Sequence, residues 1–497
     1  MLLFKFSLLI ILLFSSDFMN IPKSNFSEWY NSILKEAELC DLRYNLKGFI
    51  VFMPWSVASM KKMYALYEAE LEQRGHVPAL FPALIPEEYL LKESEHVAGF
   101  VPEVLWVTQA GKEQLEQKYA MRPTSETAMY PMYALWINGL KDLPLKIYQS
   151  CQVWRHETKA TKPFIRSREF YWIEAHDAFA TYDGALAQVK EDMEIAEQVI
   201  HKNFGVPFLF FKRPQWDKFA GAVDTYAADT LMPDGKALQL PSTHLLGQNF
   251  AKAFNVKYTD EKGESQYVWQ TCYGPAISRI YAAVIATHGD DKGLILPFDI
   301  TPLQIVIVPI HKTENREKVM KECEKIKKML SETYSIKLDD SESTPGYKFN
   351  HWEMKGIPFR IELGERDIAD NSCILVRRDN REKIKVKIND IPKKINELKE
   401  IYNKSLLDRA DKWFKEKLSK ANSIDELNTT LDKNAGFVRV SFCTDQMQSE
   451  ACADIVKDKC KANVRGSLYS SKDVPKAEKC IACGKKAEIY LYAARQY

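Results

Sequence analysis

Apolar and polar positions alternate along this chain with two different periods. Near its start the period is helical. Trp29, Ile33, Leu34 and Ala37 form one stripe from Ser27, which predicts a helix. Met60, Met63, Tyr64, Tyr67 and Leu71 form a second, longer stripe that Gly75 closes. Phe49 to Phe52 reads as a strand. Val77 to Ile85 is apolar but broken by Pro78 and Pro82, which suits an edge strand. Tyr119 to Thr127 (YAMRPTSET) joins an apolar strand-like run to a helix carrying Met129, Tyr130, Met132 and Leu135. Thr124, Ser125 and Glu126 sit where that helix begins. They read either as a plain cap or as polar groups turned into a pocket.

Between Trp154 and His176 the period falls to two. A basic loop with Lys159, Lys162 and Pro163 leads into a strand over Ile165–Ala175, so the stretch reads as a hairpin. Alternation puts Arg166, Arg168, Phe170, Trp172, Glu174 and His176 on one face and Ile165, Ser167, Glu169, Tyr171, Ile173 and Ala175 on the other. The first face makes a poor core and a good site wall, because guanidinium forks match phosphate and carboxylate. A helix over 183–203, an aromatic and charged loop from Phe211 to Asp224, and a strand over Lys236–Leu240 follow. That strand ends in Gln239, Ser242 and His244, polar residues that need partners or a ligand. Gly274-Pro275 turns the chain into an apolar helix that opens with a lone Arg279 and breaks at Gly289. A buried guanidinium at such a place calls for an anion.

After Pro297 short apolar strands alternate with charged helices. Gln304–Pro309, Ile336–Leu338, Phe359–Leu363 and Ile374–Arg377 predict a small α/β domain with a parallel sheet. Residues 390–433 read as helices and a linker. The closing AEIYLYAARQY is apolar enough to dock.

At 497 residues the chain is too long for one core. A net charge of +2 advertises no global affinity for nucleic acid, though it leaves room for a local patch. Ten cysteines spread over this length point to a reducing compartment and to metal rather than disulfides wherever they cluster. They cluster once, where Cys443, Cys452 and Cys460 precede Cys480-Ile-Ala-Cys483-Gly484. Four ligands fill a structural zinc site, so Cys460 is the expected outsider. The opening MLLFKFSLLIILLFSSDF has signal-peptide length and no small-residue cleavage site. It leaves open an upstream start before Met19, a targeting peptide or an anchor.

In this order the elements resemble a class II aminoacyl-tRNA synthetase, and within that class the archaeal/eukaryote-like prolyl-tRNA synthetases. The helix and strand ending at Pro82 resemble motif 1, Arg155-His156-Glu157 with its loop to Arg166 motif 2, and Arg279 with its helix motif 3. RPTSE at 122–126, REFYWIEAH at 168–176 and THLLGQNF at 243–250 resemble the proline-specific signs. PGYKFNHWEMKGIP resembles the family's anticodon-binding domain, and the cysteine-bearing tail with Tyr497 its archaeal/eukaryotic branch.

The resemblance implies an α/β fold with an α+β catalytic core. A class II antiparallel sheet flanked by helices would be followed by an α/β anticodon-binding domain and a small zinc-binding-like C-terminal domain. The boundaries expected are a hydrophobic extension at 1–22, a catalytic domain at 23–300, an anticodon-binding domain at 301–400 and the C-terminal domain at 401–497. It implies a proline-tRNA ligase that works through prolyl-adenylate, without the bacterial-type editing insertion. A non-catalytic paralogue binding tRNA or a partner is the alternative. Thr124, Glu126, Arg155, Trp172, Glu174, His176 and His244 would surround proline, with Glu126 on its ammonium. Arg155, Glu157, Arg166, Gln239, Ser242 and Arg279 would hold ATP, and Arg155 and Arg279 would be catalytic. Cys443, Cys452, Cys480 and Cys483 would hold structural Zn²⁺. Lys348, Glu353 and Lys355 would read the anticodon. L-proline, ATP with Mg²⁺, tRNA(Pro) and a second copy of the chain are the implied partners. The setting would be cytoplasmic, without stable membrane association.

Two details depart from the family. GPAISR carries one residue more than usual between Gly and Arg, leaving the polar contact at Ile277 or Ser278 open. Cys443 and Cys452 are more widely spaced than the family's first pair. A threonine-type ligase would place zinc ligands in its pocket, and none of the expected pocket positions is a cysteine.

Overall fold

The computed structural model describes residues 21–96 and 104–497, so residues 1–20 of the expected extension lie outside the described residues. The chain divides into two compact units, one of 1–40 with 288–399 and one of 41–287 with 400–497.

The second unit is built on an 11-stranded sheet. From one edge to the other its strands are Leu418–Lys420, Phe437–Phe442, Ile489–Ala494, Asn463–Leu468, Leu209–Lys212, Asp224–Leu231, Ala237–Gly247, Trp269–Gly274, Glu169–Phe179, Leu145–Trp154 and Val77–Pro78. All neighbours run antiparallel except the pair at each edge. Val77–Pro78 is the edge strand that its prolines called for, parallel to Ile147–Tyr148. The helix Pro54–Gln73 precedes it, buries Met60, Met63, Tyr67 and Leu71, and is followed by Gly75 at φ +85°.

The hairpin expected around residue 160 is present, with Leu145–Trp154 pairing Glu169–Phe179. Its second strand starts at Glu169 rather than Ile165, because a turn at Phe164–Ile165 and the bridge of Lys162 with Arg166 use up the preceding residues. Helix Tyr182–Ala196, continued by wider π turns over Glu197–Asn203, packs against the sheet through Ala185, Val189 and Met193. On helix Glu126–Trp136, Met129, Tyr130 and Tyr133 face the core while Leu135 is exposed. As expected, residues 390–433 hold helices and a short connection: one helix over Ile391–Glu416 and a second over Ile424–Lys433. The first helix's stripe of Ile391, Ile395, Leu398, Tyr402, Leu406, Ala410 and Phe414 is buried throughout.

In the first unit five strands line up as Ile336–Leu338, Ile305–Ile310, Phe359–Gly364, Ser372–Arg377 and Lys383–Lys387. The first three are parallel, as expected. The last two are antiparallel. The connections after Gly364 and Arg377 are too short for a crossover, so the chain can only turn back. Among the described residues, no helix is long and apolar enough to cross a membrane.

Candidate active site

A cavity of about 620 Å³ opens over the middle of the large sheet. Alternation on Glu169–Phe179 sends Phe170, Trp172, Glu174 and His176 into it. Alternation on Ala237–Gly247 sends in Ser242 and His244, while Thr243 on the opposite face bonds Asp192 at 2.6 Å. Thr124 and Glu126 enter from the start of helix Glu126–Trp136, and Arg279 from helix Ile277–His288. Gly274 leaves room for the Trp172 ring, whose nearest carbon would lie 3.0 Å from an added Cβ.

One end of the cavity is cationic. Arg155 is aimed by its Nε–H, which donates to the Pro123 carbonyl at 2.9 Å, and its guanidinium lies 5.2 and 5.6 Å from the Phe170 and Trp172 ring centres. Arg166 donates to the Tyr497 carbonyl at 2.8 Å. Arg279 donates to Ile165 O at 3.1 Å and Gln239 O at 3.3 Å. Burial, with Arg155 and Arg166 nearby, pulls the Arg279 pKa down to about 10. Three guanidiniums held together against their own repulsion favour an anion between them.

The other end is a hydrogen-bonded carboxylate pair. Thr124 donates to Glu126 at 2.5 Å. Glu174 is fully buried and accepts from Ser125 N–H at 3.1 Å, the Ser125 hydroxyl, Gln149 at 2.7 Å and His176 at 3.2 Å. Ser125 therefore does not cap its helix, since its hydroxyl is committed to Glu174. Tyr130 shares a hydrogen bond with the other His176 nitrogen at 3.0 Å.

Burial opposes charge on both Glu174 and His176. Their mutual bond outweighs it, holding the carboxyl below its ordinary 4.5 and the imidazole above its ordinary 6.5. The Glu174 contribution to stability is present above pH 4.5 and fades as pH falls; the His176 contribution is present below pH 6.5 and fades as pH rises through its raised value. His176→Gln is expected to flatten the alkaline side of the stability curve. Melting temperatures from pH 5 to 9 check it; an unchanged alkaline slope would count against the charged pair. His244 behaves oppositely. Burial, then Arg213 and His176, lower its pKa to about 3, so it stays neutral between Thr225 at 2.8 Å and Ser242 at 3.0 Å.

Of the residues named from sequence, Thr124, Glu126, Arg155, Arg166, Trp172, Glu174, His176, Gln239, Ser242, His244 and Arg279 line this one cavity. Glu157 does not; its carboxylate lies 3.6 Å from Arg166 and accepts from Lys159 N–H. Ile277 is buried and the Ser278 hydroxyl turns back to Tyr171 O at 3.4 Å, so neither residue faces the cavity.

The cavity does contain a cysteine, contrary to expectation. Cys272 lies with Glu126 and His176, their ligand atoms within 4.8 Å of one another. Both His176 nitrogens are already bonded to Glu174 and Tyr130, so the group is not set for a metal. Burial and the carboxylates Glu126 and Glu174 push the Cys272 thiol well up, so it is no nucleophile. Arg213, Phe219, Arg465, Gln496 and Tyr497 also line the cavity and were not singled out for it from sequence. The early sign for Gln496 and Tyr497 was the apolar, aromatic tail that ought to dock, and for Arg213 and Phe219 the aromatic and charged loop from Phe211 to Asp224.

Cys443, Cys452, Cys480 and Cys483 place their sulfurs within 4.8 Å of one another, and Cys460 stands apart with its thiol on Ile424 O. The 3.7 Å between Cys443 and Cys452 matches the edge, about 3.8 Å, of a tetrahedron with zinc–sulfur bonds of about 2.3 Å. In the first unit Lys348 and Lys355 are buried, donating to Asp339 O at 2.9 Å and Ala37 O at 2.9 Å; Glu353 accepts from Arg360 at 3.2 Å. As they stand, neither lysine presents its charge to solvent.

Comparison with known proteins agrees with this geometry. Residues 106–288 match the tRNA synthetase class II core domain (G, H, P, S and T), 304–398 an anticodon binding domain, and 424–497 a prolyl-tRNA synthetase C-terminal domain. A proline-tRNA ligase of Thermofilum pendens is 49% identical over 97% of this chain and 100% of its own. One of Pyrococcus abyssi is 42% identical over 95% and 98%. The structure of Giardia lamblia prolyl-tRNA synthetase in complex with prolyl-adenylate superposes with a TM-score of 0.93 at 34% identity, covering 97% of this chain and 100% of that one. With relatives this similar along nearly its whole length, the chain belongs to the proline-tRNA ligases, a family with the class II synthetase core.

Proposed function

We propose that the cavity activates L-proline with ATP and passes the prolyl group to the 3′ end of tRNA(Pro). The observation that carries this is the convergence of Arg155, Arg166 and Arg279 on one end of a cavity whose other end holds Glu126. Proline lies with its ammonium toward Glu126, among Thr124, Trp172, Glu174, His176 and His244. Gln239, Ser242, Arg166 and Arg279 hold ATP, and Arg155 spans the proline carboxylate and the α-phosphate. A carboxylate oxygen of proline attacks the α-phosphorus and pyrophosphate leaves. A hydroxyl of the tRNA 3′ terminus then attacks the adenylate carbonyl and AMP leaves. The chain supplies position and charge, and no covalent nucleophile is needed. Mg²⁺ bound with ATP would offset the charge of its phosphates.

The direct test is ATP–pyrophosphate exchange with proline, against alanine, threonine and cysteine as competitors. No exchange with proline in a folded protein rejects the reading and favours the non-catalytic alternative.

Around this core the family suggests a homodimer in the cytoplasm. Leu42, Tyr44, Leu46, Val77 and Leu80 are exposed on the segments flanking helix Pro54–Gln73, a surface suited to a second copy. A solution mass of one chain at micromolar concentration rejects it.

The four-cysteine group would hold a structural Zn²⁺ and tie Phe437–Phe442 to the knuckle at Cys480–Cys483, ordering the strands beside the cavity. Cys483→Ser should lower bound zinc from about one per chain to near zero and lower the melting temperature. Metal analysis of purified protein decides it; equal zinc in both proteins removes Cys483 from the ligand set.

A further inference from the structure

Arg213 has no role in the reaction as set out above, yet it is among the largest fully buried side chains of the molecule and lines the cavity. It stands just past strand Leu209–Lys212. Asp229 grips it with both oxygens, at 2.9 and 2.8 Å. The Arg465 carbonyl, from strand Asn463–Leu468, accepts from Nη1 at 2.6 Å. The Arg465 side chain closes the ring by donating to Asp229 at 2.8 Å and to Gln496. Asp217 lies 3.9 Å from Arg213 Nε. What Nη2 has left over, it donates to Gln239 Oε1 at 3.0 Å.

That last bond fixes the polarity of a ligand-facing group. A carboxamide can present either its oxygen or its amino group, and nothing in its own shape decides which. A guanidinium is a donor only. Gln239 must therefore turn its oxygen to Arg213, which leaves the amino group as what it offers the cavity.

We propose that Arg213, locked by Asp229 and Arg465, is a positioning residue of the nucleotide site that makes Gln239 a hydrogen-bond donor to ATP. The assignment rests on the cavity being an ATP site. Its consequence is chemical: Gln239 recognises an acceptor on the nucleotide, such as a ribose or phosphate oxygen or a ring nitrogen, and not an exocyclic amine. Because the lock closes through Arg465, residues from the cysteine-bearing segment help define the nucleotide pocket.

The test uses the full chain and four variants: Arg213→Met, Gln239→Glu, Gln239→Ala and the double Arg213→Met/Gln239→Ala. KM for ATP and for proline are read separately in pyrophosphate exchange, and ATP affinity is read by calorimetry. Arg213→Met should raise KM for ATP by roughly tenfold or more, the scale of one well-placed hydrogen bond, with KM for proline nearly unmoved. Gln239→Glu keeps an acceptor for Arg213 and loses the donor. It should weaken ATP at least as much, with an unchanged melting temperature. The double variant should bind ATP no worse than Gln239→Ala, because Arg213 acts through that side chain.

Parallel rises in both KM values, multiplying effects in the double variant, or wild-type ATP affinity in Gln239→Glu would each overturn the proposal. Should Arg213→Met fail to fold, the Gln239→Glu result alone decides. Calorimetry separates the two readings: ATP binding without proline-dependent exchange counts against the ligase reading and still reports on Arg213.

Discussion

Arg155→Ala is expected to lower proline-dependent pyrophosphate exchange by about 10²–10³-fold while leaving the fold intact. Loss of a single preorganised charge partner in a sheltered site removes about 3–4 kcal/mol of transition-state stabilisation. Arg155 is preorganised here: its Nε is tied to Pro123 O and its guanidinium lies over the Phe170 and Trp172 rings. Stability should not fall with activity. Arg155 is one of the two cations that depress Arg279, so its removal relieves repulsion. Arg155→Lys should rescue only in part, because an ammonium restores charge without the bidentate fork. Exchange kinetics and melting curves on the same preparations check both halves. Activity within tenfold of wild type would show that this arginine is not the one bridging the reactants.

Glu174→Ala should strike the fold as hard as the chemistry. The carboxylate is the hub for Ser125, Gln149 and His176 in a fully buried setting, and its loss leaves several donors without an acceptor. Breaking a buried pair from one side costs about 3–5 kcal/mol. The same change frees the start of helix Glu126–Trp136, which carries Glu126, so proline affinity should weaken together with stability. Glu174→Gln keeps an acceptor and the shape but removes the charge that holds His176 protonated. It should recover most of the stability and little of the proline affinity. Urea midpoints and KM for proline separate the two. A stable Glu174→Ala protein would mean that the hydrogen bonds converging on this residue carry little weight.

What could be read early follows from how local its cause is. Strand alternation alone placed Trp172, Glu174 and His176 on one face, and the lone charge of an apolar helix marked Arg279. Ser125 shows the limit. It looked like a helix cap because the acceptor that claims it lies 49 positions on. Arg213 could not be singled out for the same reason: its loop reads only as aromatic and charged, and its partners are 16 and 252 positions away. Cys272 was missed because no neighbouring residue signals that Trp269–Gly274 lies between the strands bearing His176 and His244. The parallel sheet expected in the first unit failed only where the connections became short.

The large sheet joins Leu209–Lys212 to Asn463–Leu468, with the whole 304–398 region lying between them in the chain. During synthesis the earlier strand is therefore made long before its neighbour exists. Until then it carries a row of unsatisfied backbone donors and acceptors at an open edge, the kind of surface on which chains aggregate. Pairings this distant also close slowly, because the loop entropy is spent before any contact forms. Assembly of the nucleotide end of the cavity, which needs Arg465, falls late in folding. Yield on expression should therefore respond to temperature and chaperone supply more than the stability of the finished protein does.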